Sequence, residues 1–582
     1  MSHKSSQSIL RSWDLRSIRI LVLMIGAMLP GFSTAATKPN IILVTLESTR
    51  ADRIGFLGSK NPTPVLNALA KQGIVFERTY AQAPLTVPSH ASILSGTYPQ
   101  THRTGEFGVP LPAGLPYIPD LLRERGYRTA AFVGSIHLDA RNGFAQGFAR
   151  GFDAYDAGFT PIQLDKTGAP SNQRSATQVV TRAMSWVNQN TKAPFFLWLH
   201  LNDPAAATGI SYDRAVTSAD AALGKLISAL RAANLYDNSV IVVAADHGES
   251  LGAHGEDTHG IFLYDETIRV PLLLKLPGAQ MAGKRVRGRV RLLDVAPSIL
   301  EAAGIPVPSQ MQGQSLLRIA KGNPDADQPV YSRSDLPQQA FGWSPLESWR
   351  SGKYLYIRAP KPELYDLSTD ASASHNLAQA SKAIRDTMSA QLSAFDSRFG
   401  ASDKTAATSL SSSEVEKLAS LGYVGLQKTS STTDATVQGT DPKDMITIAN
   451  KNLAAMKFLA DGKRDKAITV FRDTLATQPN TFMAQYGLGT ALARQQQYTE
   501  AVQHLHKAIE LQPQSAWAQY AMGVCLMKTG DFKTSAVHLE IASSRLPSFP
   551  AVHALLAQVY EHLGRKDDAQ RERTKAAHAG RG

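Results

Sequence analysis

The chain has 582 residues, 43% of them hydrophobic and 19% charged, with a formal net charge of +12. That length exceeds a single core, so about two to four domains are expected. The composition is that of a globular protein, and no Lys/Arg block or basic-aromatic interleaving points to nucleic acid. The positive excess suits an anionic ligand, a membrane surface or simply a solvated basic surface. One cysteine, Cys525, excludes an internal disulfide and reads as a small core residue on a helical apolar face.

In chain order, the first segment reads as an export leader. Lys4, Arg11, Arg16 and Arg19 precede an apolar stretch from Ile20 to Leu29. Pro30-Gly31 breaks that stretch, and Ser33-Thr34-Ala35 offers small residues for cleavage. The stretch is too short to span a bilayer comfortably. Removal of residues 1–35 near Ala35 is therefore expected. No stable transmembrane anchor would then remain, and the mature chain would be periplasmic or secreted.

From about residue 38 to residue 400, apolar runs of strand length alternate with helical periodicity. Strands are expected at 40–46, 128–134, 195–201, 239–245 and 270–276, and helices at 117–125, 176–188 and 219–233. This alternation predicts an α/β domain, a mostly parallel sheet flanked by helices. Sites in such sheets collect beyond the carboxyl ends of the strands. Residues 401–445 are rich in Ser, Thr, Ala and Asp and read as a linker, with one short helix at 412–421.

Residues 447–582 repeat. Pro479, Pro513 and Pro547 are 34 residues apart, and Ala467, Ala501, Ser535 and Ala569 keep that spacing. So do Ala455, Gly489, Gly523 and Ala557. Small residues let paired helices cross closely, and proline closes each unit. The pattern resembles the tetratricopeptide repeat in four units, an all-α solenoid. Such arrays bury their core by stacking and present a concave face, which suits a protein partner. Because repeats contact mainly their own neighbours, the array is expected to be removable near Asp441 without unfolding the α/β domain.

Two expected strands run straight into metal-ligand residue types. Residues 40–46 lead to Glu47-Ser48, and residues 239–245 lead to Asp246-His247-Gly248-Glu249. Between them, Pro84-Leu85-Thr86-Val87-Pro88-Ser89-His90 is a hydroxyl-rich turn entering a helix. Glu47, Asp246, His247 and Thr86 together offer oxygen-rich ligation with one nitrogen. That set suits one divalent ion, Mn²⁺ or Zn²⁺ ahead of Ca²⁺ or Mg²⁺. A metal beside a hydroxyl is the equipment of an enzyme that cleaves esters.

Four ordered motifs then resemble the sulfatase branch of the alkaline phosphatase superfamily. They are Glu47-Ser48-Thr49-Arg50-Ala51-Asp52, Thr86-Val87-Pro88-Ser89-His90, Asp246-His247-Gly248-Glu249, and His259-Gly260 before Arg269-Val270-Pro271. The resemblance spans roughly residues 38–400. It implies an alkaline-phosphatase-like fold and an anionic ester substrate, phosphate or sulfate. It also places the nucleophile at Thr86, where relatives use Cys or Ser matured to formylglycine, and a leaving-group acid at His259. His90 stands where the family has Arg. His137, His200, His90 and Arg50 become candidates for contact with substrate. His200 reads equally as a satisfied core histidine, and Arg50 as the partner of Asp52 in a local ion pair. His254 reads as a surface residue, and Glu249 as support for the metal ligands.

Two further family positions depart from the pattern. Asp203 is followed four residues later by Ala207 instead of a second-metal His, and Ala205 replaces a substrate-binding His. These losses motivate a rival expectation from another class, a catalytically impaired scaffold whose repeats bind a protein partner.

Overall fold

A computed structural model describes residues 38–105, 109–140, 144–157, 174–204, 211–399, 411–421, 423 and 439–579. The expected leader, Ala205 and Ala207 lie outside the described residues. None of the helices among the described residues is long and apolar enough to cross a membrane.

The larger sheet has eight strands: β1 (Asn40–Leu46), β2 (Ile74–Tyr80), β3 (Arg128–Val133), β4 (Ala154–Asp156), β5 (Phe195–Leu201), β6 (Ser239–Ala245), β7 (Arg269–Lys275) and β8 (Arg285–Arg291). Their spatial order is β4-β3-β5-β1-β6-β7-β2-β8. Strands β4, β3, β5, β1 and β6 run parallel, β7 runs antiparallel to both neighbours, and β2 and β8 pair in parallel. The three central strands β5, β1 and β6 are buried along their whole length. That explains their unbroken apolar runs, since parallel strands are covered on both faces. The helices Ala176–Gln189 and Tyr212–Ala232 pack on one another, and the first carries a Ser175/Gln178 capping box.

A second sheet, not expected from the sequence, follows. It comprises β9 (Val330–Ser334), β10 (Leu346–Ser351), β11 (Tyr354–Arg358) and β12 (Glu363–Asp366), antiparallel throughout. The helix Lys382–Phe399 covers it over an aromatic cluster that includes Tyr331, Trp349, Tyr356 and Phe395.

The repeats form four helix pairs: Ile446–Ala460 with Arg464–Thr477, Phe482–Arg494 with Tyr498–Leu511, Ala516–Thr529 with Phe532–Arg545, and Pro550–His562 with Lys566–Ala579. Close crossing demands the small residues. A Cβ on Gly487 would lie 2.4 Å from Phe471 Cζ, and one on Gly523 2.6 Å from Leu539 Cγ. A polar ladder runs at the same period. Gln485, Gln519 and His553 each bond the carbonyl of the proline six residues back. The same three side chains meet His504, His538 and Glu572, each nineteen residues on. Cys525 is fully buried among the repeat helices, and burial pushes its thiol up to about 11.

The array also touches the α/β domain. Ala449 and Met483 belong to the same apolar core as the large sheet. Lys361 N–H donates to Asp441 Oδ2 at 2.9 Å, and Lys443 Nζ to Glu363 Oε1 at 2.8 Å. Trp517 stacks on Phe144, ring centroids 4.9 Å apart. Within the expected linker, the helix Ser412–Ser420 lies against the third repeat. Lys417 pairs with Glu540 at 2.6 Å and Glu414 with Arg545 at 3.1 Å, while Leu418 is fully buried.

Candidate active site

The sheet registers bring the key residues together. Leu46 at the end of β1 pairs with Leu201 of β5 on one side and with Ala245 of β6 on the other. Glu47 and Asp246 therefore leave adjacent strands side by side at their carboxyl ends. Two close approaches fix the turn after β6. Gly248 N–H donates to Thr267 O at 2.7 Å, and a Cβ on Gly248 would sit 2.0 Å from Glu266 O. Only glycine fits there. Across the gap, the helix Thr86–Ser95 begins at Thr86 and is buried throughout. Ser89 Oγ ties it to the turn by donating to Asp246 O at 2.6 Å.

Thr86 Oγ1–H donates to Glu47 Oε1 at 2.5 Å and lies 3.4 Å from His247 Nε2. His247 Nε2 is also 3.4 Å from Glu47 Oε1 and 3.5 Å from Asp246 Oδ2. His247 Nδ1 faces its neighbour's carbonyl, Gly248 O, at 2.9 Å. A carbonyl only accepts, so Nδ1 carries the hydrogen and Nε2 turns to the cluster. Asp246 Oδ1 accepts from Ser48 N–H at 3.0 Å and from His247 N–H at 2.8 Å, which leaves Oδ2 without a hydrogen bond. Glu47 Oε2 also lacks one. His200 Nε2 lies 2.6 Å from that oxygen. Ser48, at a positive φ of 49°, adds a buried hydroxyl with no partner.

Buried polar atoms are normally satisfied. Here Asp246 Oδ2 and Glu47 Oε2 lack hydrogen bonds within one cluster of ligand residues. Two residue groups, Glu47 with Asp246 and His247, and Asp246 with His90 and His200, have ligand atoms within 4.8 Å of one another and could each hold a metal ion. The donor chemistry of the first fits a divalent cation. The electrostatics agree. Burial raises Asp246, and the Glu47 charge adds to it, to about 6. Burial also opposes ionised Glu47, but His200 and His247 outweigh it and hold that carboxyl well below its usual range. Against burial, Asp246 and Glu47 raise His247 to about 10.

A proton-linked affinity follows from these values. Without an ion, His247 holds a proton between pH 6 and 9, and a ligating imidazole must be neutral. Divalent-ion binding should release about one proton over that window and tighten roughly tenfold per pH unit. Below about pH 6 the dependence should steepen as Asp246 also protonates. Calorimetry in buffers of different ionisation enthalpy reads the proton count, and a pH-independent affinity would contradict this charge balance.

The other expected residues separate into distinct roles. His90 is fully buried, with Nδ1 2.8 Å from Thr86 O and Nε2 3.0 Å from Thr45 Oγ1. Burial first, then His200, pushes it down to about 3, so it is neutral. A directed chain results: Trp198 Nε1–H to Thr45 Oγ1, Thr45 Oγ1–H to His90 Nε2, and His90 Nδ1–H to Thr86 O. Both nitrogens of His90 are thus spent on holding the Thr86 turn. His200 is fully buried beside Glu47, with its ring edge-on to His90. His259 lies beside the cluster, its ring centroid 4.4 Å from that of His247, and its Nδ1 is 3.0 Å from Glu249 Oε2. Burial works against charged His259, but the Glu249 carboxylate outweighs it and holds the pKa above the usual value.

Arg50 pairs with Asp52 at 2.7 Å and also donates to Glu249 O and Ser250 O, so it ties the β1 turn to the β6 turn. His137 is exposed on the short helix Ile136–Leu138, which packs near the Thr86 helix. His254 stacks on Tyr264 with ring centroids 3.6 Å apart. Asp203 is occupied structurally, accepting from Ala176 N–H and Ser218 Oγ–H. Tyr212 was missed from the sequence. Its hydroxyl donates to Ser48 O at 2.5 Å and accepts from Arg50 N–H at 2.9 Å. No motif announces it, since it lies at the start of a distant helix.

A buried hydroxyl facing paired carboxylates and an imidazole, at the strand ends of an α/β sheet, defines an ester hydrolase of the alkaline-phosphatase-like architecture. Residues 39–207 and 210–305 match the Sulfatase family model, and residues 452–516 and 550–572 match Tetratricopeptide repeat models. Residues 39–305 thus carry a Sulfatase family domain, with tetratricopeptide repeats further along the chain. The chain is 27% identical over 398 residues to an ulvan-active sulfatase of Formosa agariphila, covering 59% of this chain and 77% of that one. It is 23% identical over 424 residues to a Delta 4,5-hexuronate-2-O-sulfatase of Bacteroides thetaiotaomicron, covering 60% and 86%. Among solved structures, a phosphonate monoester hydrolase of Agrobacterium radiobacter shares the fold at TM-score 0.51 and 19% identity, covering 62% and 96%. A protein bound to D-glucosamine-2-N,6-O-disulfate does so at TM-score 0.53 and 18% identity, covering 63% and 99%.

Proposed function

We propose that the protein is a divalent-metal-dependent hydrolase or transferase of anionic sulfate, phosphate or phosphonate esters, acting through the Thr86 hydroxyl. The observation that carries this reading is the convergence of Thr86 Oγ1, Glu47, Asp246 and His247 through contacts within 3.5 Å in one buried cluster. Glu47, Asp246 and His247, with the Thr86 hydroxyl, would hold the ion, and their oxygen-rich set with one nitrogen favours Mn²⁺ or Zn²⁺. Bound there, the ion supplies positive charge that favours the deprotonated hydroxyl and the developing charge on the ester.

The residues divide the work. The Thr86 Oγ1 proton passes to Glu47 Oε1, which already accepts it. Oγ1 then bonds to the sulfur or phosphorus as the bond to the leaving oxygen breaks. His259, whose Nδ1 faces the Glu249 carboxylate, gives a proton to that oxygen. The Trp198–Thr45–His90 chain holds the Thr86 carbonyl and so fixes the direction of attack. Water or an acceptor alcohol then attacks the sulfur or phosphorus, its proton passing to the now neutral His259, while the bond to Thr86 Oγ1 breaks and that oxygen takes its proton back from Glu47.

The curated relatives are named sulfatases, which supports a sulfate ester, while the phosphonate monoester hydrolase neighbours fit the same fold. Turnover of p-nitrophenyl sulfate, p-nitrophenyl phosphate and p-nitrophenyl phenylphosphonate by chelated and Mn²⁺- or Zn²⁺-reloaded protein decides between them. Absence of turnover and of bound metal under all conditions would favour the scaffold instead. Export on residues 1–35 belongs to the same proposal, and the mass of the mature chain tests it. The repeats suit a protein partner. Part of the third repeat is already covered by the helix Ser412–Ser420, so a partner takes another face or displaces that helix.

A further inference from the structure

Residues 249–259 connect the β6 turn to His259 and carry Glu249 at one end. The segment folds on itself. Ser250 N–H donates to Thr258 O at 2.6 Å, and Gly252 N–H to Glu256 O at 2.9 Å. Its outer edge leaves Asp257 N–H and Gly255 C=O without a partner from the loop. Both are met by one side chain from the first repeat helix, Ile446–Ala460. Asn450 Oδ1 accepts from Asp257 N–H at 3.1 Å, and Asn450 Nδ2 donates to Gly255 O at 2.7 Å. One partner can only donate and the other can only accept, so the amide orientation is determined. Ile446 Cγ2 packs beside Gly255, 3.6 Å from where a Cβ would be.

A second hold comes from the same stretch of chain. Lys443 Nζ donates to Glu363 Oε1 at 2.8 Å, and Glu363 Oε2 accepts from the Tyr264 hydroxyl at 2.5 Å. The Tyr264 ring stacks on His254 of the loop. The start of the repeat array therefore holds the loop backbone directly through Asn450 and reaches the His254 ring only by way of Glu363 and Tyr264. Nothing in the catalytic scheme uses these contacts.

We propose that Asn450 is a positioning residue for the loop 249–259, so that the first repeat helix forms part of the support of the active site. The inference rests on His259 being the leaving-group acid. An error near 1 Å in a reacting group can cost about a hundredfold in rate, so a loosened loop is read in turnover. It also gives the array a physical route to the chemistry. A partner that shifts the first repeat helix changes the loop, and by reciprocity the loop state changes partner affinity.

The test uses the full-length, metal-loaded chain with whichever of the three p-nitrophenyl esters it turns over. Asn450→Ala should lower kcat about 10- to 100-fold. KM and metal content should stay within about twofold. Hydrogen exchange in peptides spanning residues 250–260 should accelerate without acceleration across the rest of the array. Asn450→Asp keeps the acceptor for Asp257 N–H and loses the donor to Gly255 O, so it should fall between Ala and wild type. If Asn450→Ala unfolds the chain globally, the Asp variant decides by the same criteria. Wild-type kcat in the Asn450 variant, alongside lost turnover in His259→Ala, would overturn the proposal. If His259→Ala keeps wild-type kcat, the role of His259 fails. The clamp is then judged on loop exchange alone, and unchanged exchange at residues 250–260 refutes it.

Discussion

Asp246→Ala is expected to abolish metal binding and turnover together. Its two oxygens serve different ends. Oδ1 takes the Ser48 and His247 backbone N–H groups and shapes both strand-end turns, while Oδ2 faces the ligand cluster with no hydrogen bond. Removing the carboxylate therefore costs structure as well as charge. Each orphaned, buried N–H costs about 1–3 kcal/mol. The ion loses one of its two carboxylates, and metal stabilisation of the transition state is worth several kcal/mol. Several kcal/mol corresponds to a loss of about a thousandfold or more in turnover. Asp246→Asn separates the two effects. It keeps an acceptor for the backbone groups and loses the charge, so it should melt near wild type yet hold no ion. Elemental analysis of the purified variants beside their thermal melts makes the check. An Asn variant that retains wild-type metal would remove Asp246 from the ligand set.

How much of this was legible in the sequence depends on what each residue had to satisfy. Strands β1, β5 and β6 were readable to the residue because both faces are buried and their apolar runs are continuous. Their ends located Glu47 and Asp246, and the carboxyl-end rule did the rest. The small antiparallel sheet was not readable. Its strands carry charges that are buried by pairing: Glu347 sits between Arg333 at 2.9 Å and Arg358 at 2.8 Å and also accepts from the Tyr331 hydroxyl. Hydrophobic periodicity has no signal for a carboxylate whose partners lie on neighbouring strands. The helix Tyr212–Ala232 was expected to begin at 219, because its first turns carry polar residues that face Asn61, Arg53 and Ser48.

The repeats were legible through their 34-residue period, yet the grip of Asn450 on the active-site loop was not. The ladder residues Gln485, Gln519 and His553 recur and satisfy needs inside the array. Asn450 answers a backbone need about 195 residues away, which no repeat imposes. The same holds for His90. Its type is a departure from the family pattern, but its neutral state and its place in the Trp198–Thr45–Thr86 chain come from burial, which only the packed structure supplies.

Thr86→Ala is expected to keep the ion and lose nearly all turnover. The retained ion follows from the donor set, since Glu47, Asp246 and His247 contribute without the hydroxyl. The lost turnover follows from chemistry. Thr86 Oγ1 is the hydroxyl that meets Glu47 Oε1 within the ligand cluster, and a methyl group cannot attack sulfur or phosphorus. Loss of a nucleophile commonly costs several orders of magnitude, on the scale of about 10⁶ in kcat for a fully dependent site. Thr86→Ser should retain part of the rate, because the hydroxyl survives while the methyl that restricts its rotamer is gone. Thr86 begins a buried helix whose carbonyl is held by His90, so the Ala variant should fold and keep that hydrogen bond. The decisive measurement is covalent. Acid quench of wild type during turnover, followed by mass spectrometry of the peptide around residues 83–98, should show threonine carrying a sulfuryl, phosphoryl or phosphonyl group, and no aldehyde at residue 86. An Ala variant with wild-type turnover would show that water or another side chain attacks, and the scheme built on Thr86 would fall.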